Sequence, residues 1–247
     1  MRNIFAPLLA VVLVAGLLSS PAATARLTAG QVEGADGHGR SGGTEAPEPV
    51  AEFKGLTAGE WLAVWWQEIF ATSVENGSHP LINGGAFGGN NGIVFLGGPV
   101  MAAGSPTTTL RATIPAGAHL LLPIITVECS EAEPPPFHAE GEAALRICAN
   151  GLLDEVSDLA LTIDGQPVND PGAHRVETPL FRYGPLRADN VLGLPAATQS
   201  DSVGAGYVVL LSPLSPGVHR IAARASVAAF GIAVDAEAIL TVRPMER

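Results

Sequence analysis

The sequence predicts a mainly β, single-domain fold of the β-sandwich or jelly-roll kind, with one packed N-terminal helix and one short disulfide-linked helix. Three observations carry that prediction. From residue 93 onward, short apolar runs recur between Gly- and Pro-rich turns, the pattern of stacked sheets. The one strong helical periodicity lies in residues 55–70, where all 3 tryptophans fall in a chain that is only 5% aromatic. The chain has 2 cysteines, Cys129 and Cys148, behind an N-terminus built for export.

Met1, Arg2 and Asn3 give a short positive start, residues 4–18 are almost wholly apolar, and Ala23, Thr24 and Ala25 supply the small residues of a cleavage site. Residues 1–25 therefore read as a signal peptide, with Arg26 as the mature start and no membrane span after cleavage. Residues 26–50 are rich in Gly, Ala, Glu and Pro, too polar to offset their ordering entropy, and read as a flexible leader. Residues 51–247 remain for one β-sandwich domain, long enough to bury a proper core. The balance of 24 acidic against 13 basic residues, net −11, excludes nucleic acid and anionic lipid as partners, because both require a basic footprint. A secreted or periplasmic location follows, with an extracellular small molecule or glycan as the candidate partner.

Thr57 followed by Glu60 fits a capping box at the start of the helix. Trp61, Trp65 and Ile69 form one apolar row and Leu62, Trp66 and Phe70 the next, so the helix should be buried on most sides, with Gln67 as its informative polar residue. His79-Pro80 starts a loop, and residues 88–92 (GGNNG) make a hairpin tip before the short strand 93–96. Residues 107–114 alternate as a half-buried strand. Residues 119–127 form a strongly apolar one, in which Pro123 requires an edge position or a bulge. An acidic, proline-stiffened loop holds Cys129. A helix over 139–149, stopped by Asn150-Gly151, carries Cys148. A disulfide joining them would stabilise by about 3 kcal/mol. Asp164-Gly165 marks a hairpin, 174–183 is extended, and 184–204 reads as loop. Strands at 207–211, 219–227 and 233–242 complete the domain, the last two as a sheet-edge pair.

Three sets of residues carry a resemblance. They are Gly55 with Trp61, Trp65, Trp66 and Gln67; the runs VFLGG at 94–98 and IPAG at 114–117 with LLPII at 121–125; and Tyr207, Leu211, Pro213, Leu214, Pro216, Gly217, His219 and Ile221. Together they resemble an uncharacterised family of secreted bacterial proteins that share a WWQ helix and a C-terminal β region. The resemblance implies export and a β-rich fold, and it brings no activity and no catalytic residue.

The chemistry on offer is sparse. The 6 histidines have no zinc-ligand spacing, and there is no nucleophile elbow. His219 follows a Pro-Gly turn and reads as a strand-fixing residue. Glu128, Glu131 and Glu133 cluster beside Cys129, where they would form either a solvated acidic loop or a rim able to hold calcium or do acid/base work. His119 and Glu128 bracket one strand and would share a face only through a bulge near Pro123. Trp66 and Gln67 are the candidate ligand-binding pair, against a reading of the tryptophans as core. The favoured function is an exported, non-enzymatic binding or structural protein, with carbohydrate as the candidate ligand and no cofactor beyond calcium. The alternative is a hydrolase or lyase on an extracellular polymer, using Glu128 with His119, Tyr183, Arg182 or Tyr207.

Overall fold

The computed structural model describes residues 48–244 except residues 76, 78, 89 and 90, so the segment expected as a signal peptide and most of the expected leader lie outside the described residues. In chain order the elements are β1 (Glu52–Phe53), β2 (Leu56–Thr57), helix α1 (Ala58–Ala71), the single turn α2 (Pro80–Asn83), β3 (Gly85–Gly88), β4 (Ile93–Gly97), β5 (Met101–Ala102), β6 (Thr108–Pro115) and β7 (His119–Ser130). Helix α3 (Glu142–Leu153) follows, then β8 (Val156–Ile163), β9 (Gln166–Pro167), β10 (Arg175–Glu177), β11 (Phe181–Tyr183), β12 (Ser200–Leu211), β13 (Gly217–Val227) and β14 (Ile232–Arg243).

Apart from the β1–β2 hairpin, the strands build two six-stranded sheets in a sandwich-like arrangement. Sheet I runs β10-β12-β7-β4-β3 with β11 also on β12, and sheet II runs β5-β14-β13-β8-β9 with β6 along β14. The β4–β7 and β6–β14 pairs are parallel. The turn at 212–216 carries the chain from sheet I into sheet II, as its Pro-rich composition suggests.

Alternation in the long strands decides which face each side chain serves. Leu120, Leu122, Val209 and Leu211 of sheet I meet Ile221, Ala223, Ala238 and Leu240 of sheet II in the sandwich core. Leu145, Ala149 and Leu153 of α3 join them there. Ile93, Phe95, Leu121, Val208 and Leu210 point the other way, into a second core roofed by α1. Sheet I is thus buried on both faces, which is why residues 119–125 and 207–211 are continuously apolar rather than alternating.

Helix α1 begins as expected. Thr57 Oγ1 accepts from the Glu60 backbone N–H, and the Glu60 carboxylate accepts from the Thr57 N–H at 2.8 Å. Trp65 is 2% exposed, and its indole N–H donates to the Leu96 carbonyl at 2.9 Å, tying the helix to β4. Gly59 does more than loosen the helix start, because a Cβ there would lie 2.4 Å from the Glu177 carbonyl oxygen of β10. The disulfide forms between Cys129 of β7 and Cys148 of α3. The Asp164-Gly165 hairpin forms as well, with both residues at positive φ.

The structure corrects several sequence expectations. Residues 48–50 are not all leader: Pro49 bridges Leu211, and the Val50 N–H donates to the Leu210 carbonyl. His79-Pro80 opens α2 rather than a plain loop, with His79 as its N-cap. Helix α3 runs through Asn150 and Gly151 to Leu153, because Asn150 donates its amide to the Arg146 carbonyl and to Glu177 instead of turning the chain. Strands β13 and β14 are interior, since β13 also pairs β8 and β14 is flanked by β5 and β6. Strand β12 starts at Ser200, seven residues before the expected strand. Its early part is small and polar because Gly204 lies under the Trp66 indole, where a Cβ would come within 2.8 Å of Nε1, and Gly206 lies against Thr126 at 2.9 Å.

Candidate functional site

The site that the fold assembles lies between α1 and the far half of β7. A register shift in the β7–β12 ladder pairs Tyr207 with Ile125 but Val208 with Pro123, leaving Ile124 as the extra residue of a bulge. The bulge next to Pro123 follows from the missing N–H there. It also reverses the parity of the strand. Ile125 and Cys129 enter the sandwich core, and Glu128 and Ser130 turn toward the α1 side.

There the polar groups bond to one another. Glu128 and Glu133 are 5% and 9% exposed and lie in one buried cluster at the end of β7. Ser202 of β12 donates to Glu128 Oε1, and Ser130 donates to Glu133 Oε2 at 2.9 Å. Because the Ser130 hydrogen is spent on Glu133, Tyr183 is the donor in its 3.0 Å contact with Ser130. Tyr183, Ser130 and Glu133 form one chain, and Ser202, the register partner of Ser130, holds Glu128 beside it.

Burial, first of all, pushes the Glu128 carboxyl well above its ordinary range, and the adjacent Glu133 pushes it further. Burial raises Glu133 as well. The Tyr183 hydroxyl is driven up to about 12, again mainly by burial, so it stays a donor. Two adjacent buried carboxyls with no cation beside them do not both ionise, so the pair keeps a proton. Neither carboxyl meets a cationic side chain in any of the salt bridges among the described residues.

The other sequence candidates go elsewhere. His119 opens β7, about 30 Å from Glu128 at the usual rise of an extended strand, so the bulge cannot unite them. Its ring stacks on Phe53 with centroids 3.8 Å apart, and burial lowers its pKa. Glu131 turns away and accepts from the Gly141 N–H at 2.9 Å. Tyr207 packs at the margin of the sandwich core, on the opposite face of sheet I. Arg182 pairs with Asp201 on the surface at 3.1 Å. Trp66 is 7% exposed, and its buried Nε1 has no hydrogen-bond partner. Gln67 is exposed and donates to the Arg182 carbonyl of β11. His219 is held by Asp164 at 2.6 Å and by the Ser215 carbonyl at 2.8 Å, a strand-fixing arrangement.

Among the described residues, no three His, Cys, Asp or Glu side chains gather as a metal site, and no helix is long and apolar enough to cross a membrane. Sequence reasoning missed Ser130 and Ser202 as members of the cluster. The signal for Ser202 was present in Ser200, Ser202, Gly204 and Gly206, small residues at strand spacing on one face. No protein-family model matches this chain, and neither does any curated protein or solved structure.

Proposed function

We propose that this chain is an exported binding or structural protein without catalytic activity, of the secreted family that its WWQ helix resembles. The observation that supports this reading is that its chemically capable side chains are spent on one another. General acid/base catalysis needs a carboxyl within hydrogen-bond reach of a substrate. Here Glu128, Glu133, Ser130 and Ser202 are all buried and bonded within one cluster of groups under α1. The disulfide suits an oxidising compartment.

Carbohydrate remains the ligand to test first, though the three tryptophans are core residues and sugar stacking would fall to other groups. A hydrolase or lyase acting on an extracellular polymer is the second reading. One observation favours it: two adjacent carboxyls with raised pKa are the pairing that acid/base sites use. The deciding experiment incubates the secreted protein with a panel of glycans and polymers and measures binding, bound metal and released reducing ends. Binding or inertness without turnover is the expected result. Reducing ends released by the wild type but not by Glu128→Gln would establish the enzyme.

A further inference from the structure

We propose that Glu128 and Glu133 form a proton-held latch: one proton shared between two buried carboxyls keeps the α1 layer closed on sheet I, and its loss at alkaline pH opens that layer. The geometry carries this directly. Glu133 accepts from Ser130 and Glu128 accepts from Ser202, and Ser130 and Ser202 are register partners across the β7–β12 ladder, so without the proton two negative charges would stand side by side in one buried cluster.

The surroundings offer little to a second charge. From β7 the pair faces Ser130, from β11 Tyr183, and from β12 Ser202, with Ser200 beyond it on Tyr183. From α1 it faces the aromatic surface of Trp66 and Phe70, the latter against Tyr183 at 4.7 Å. The nearby ionised groups are turned outward: Glu131 toward Gly141, and Arg182 toward Asp201. No cation faces the pair among the described residues.

One donor on this face is unspent. Trp66 Nε1 lies over Gly204, and Gly204 is the register partner of Glu128 across the β7–β12 ladder. Directly paired residues in antiparallel strands bring their side-chain positions to about 5 Å. Ionising Glu128 beneath the Trp66 ring puts an unpaired charge in a dry site, and the water it needs can enter only as that ring lifts, which links the charge on β7 to the seating of α1.

The sign of the effect follows. A carboxyl whose folded-state pKa is raised stabilises the fold fully below its ordinary value of 4.5, and that stability is lost as pH rises toward the raised value. All 3 tryptophans lie on α1, so their emission reports the layer itself.

The test follows tryptophan emission and acrylamide quenching of the full secreted chain from about pH 5 to about pH 9, a span in which an ordinary carboxyl no longer titrates. Wild type should shift to the red and quench more strongly as pH rises, reversibly on return to acid. The Glu128→Gln/Glu133→Gln double variant, which has no proton to lose, should give a flat trace. A flat wild-type trace, or a transition retained in the double variant, overturns the latch. If the double variant does not fold, infrared spectroscopy of wild type alone decides. The carbonyl stretch of a protonated carboxyl should be present at neutral pH and fade over the same interval as the tryptophan change, and its absence overturns the proposal. Added calcium or chelator should leave the profile in place. A calcium-dependent profile would put a cation where the proton is proposed and overturn the latch too.

Discussion

The two faces of sheet I are both buried, yet they are built from different chemistry. The face toward sheet II is aliphatic, filled by Val, Leu, Ile and Ala side chains from four long strands and α3, and stapled by Cys129–Cys148. The face toward α1 carries all the tryptophans, Phe70, Phe95 and Phe181, and the buried groups His79, Glu128, Glu133 and Tyr183. The Ile124 bulge marks the crossing point on β7, sending Cys129 to the first face and Glu128 to the second. One face thus provides an aliphatic core and a covalent tie. The other provides large aromatic area and every buried carboxyl. The covalent tie and the buried carboxyls are separated across the thickness of a single sheet.

The largest expected effect tests the aromatic side. Trp65→Ala removes the most buried of the three tryptophans and leaves the Leu96 carbonyl without its donor, so it should cost roughly 3–5 kcal/mol in denaturant unfolding. A cost below that of Leu120→Ala on the same measurement would break the claim that α1 anchors this face. Reduction of Cys129–Cys148 should lower stability by about 3 kcal/mol, through loop closure on the sandwich side. It should leave the pH profile of tryptophan emission in place, since the staple and the latch lie on opposite faces.

Gly204→Ala sharpens the contrast on a smaller scale. The new methyl would press on Trp66 at 2.8 Å and should cost about 1–3 kcal/mol, whereas Gly98→Ala, with open space at its Cβ position, should stay within about 0.5 kcal/mol of wild type. Paired thermal melts would show the difference.

The smallest effect is the acid response of His79. This fully buried ring is bonded to the Ile69 carbonyl and accepts from the Leu81 N–H at 3.2 Å, and burial lowers its pKa. A base with a depressed folded-state pKa gives stability that is present above its ordinary value of 6.5 and lost as pH falls below it. Melting curves of His79→Gln should show a shallower acid loss than wild type between about pH 7 and pH 5, a span that brackets the ordinary histidine pKa. An unchanged slope would remove His79 from the account. The two signs are opposite, so the α1 face should be loosened by acid at His79 and by alkali at Glu128–Glu133.

Local sequence was sufficient wherever the cause was local. Thr57 and Glu60 wrote the helix start, Asp164-Gly165 wrote the hairpin, and the missing N–H of Pro123 called for an edge position or a bulge, of which Ile124 supplies the bulge. The mainly β class, the apolar character of α1 and the cysteine pairing were legible for the same reason: periodicity, turn chemistry and composition are carried by neighbours in the chain. Strand 200–206 was not legible, because its glycines and serines answer to Trp66 and Glu128, distant in sequence. Nor was the end of α3, where Asn150 is held by Glu177 instead of capping the helix.

The candidate site divides the same way. The sequence by itself determined that Glu128, Glu131 and Glu133 crowd one junction beside a cysteine, and that the tryptophans share one helix. Only the tertiary structure decided that Glu131 leaves, that Glu133 folds back onto Glu128, that His119 stays at the other end of the strand, and that Tyr183, Ser130 and Ser202 close the cluster. The physical reason is parity. One bulged residue in β7 reverses which face every later side chain serves, and a carboxyl's chemistry is set by the face on which it is buried.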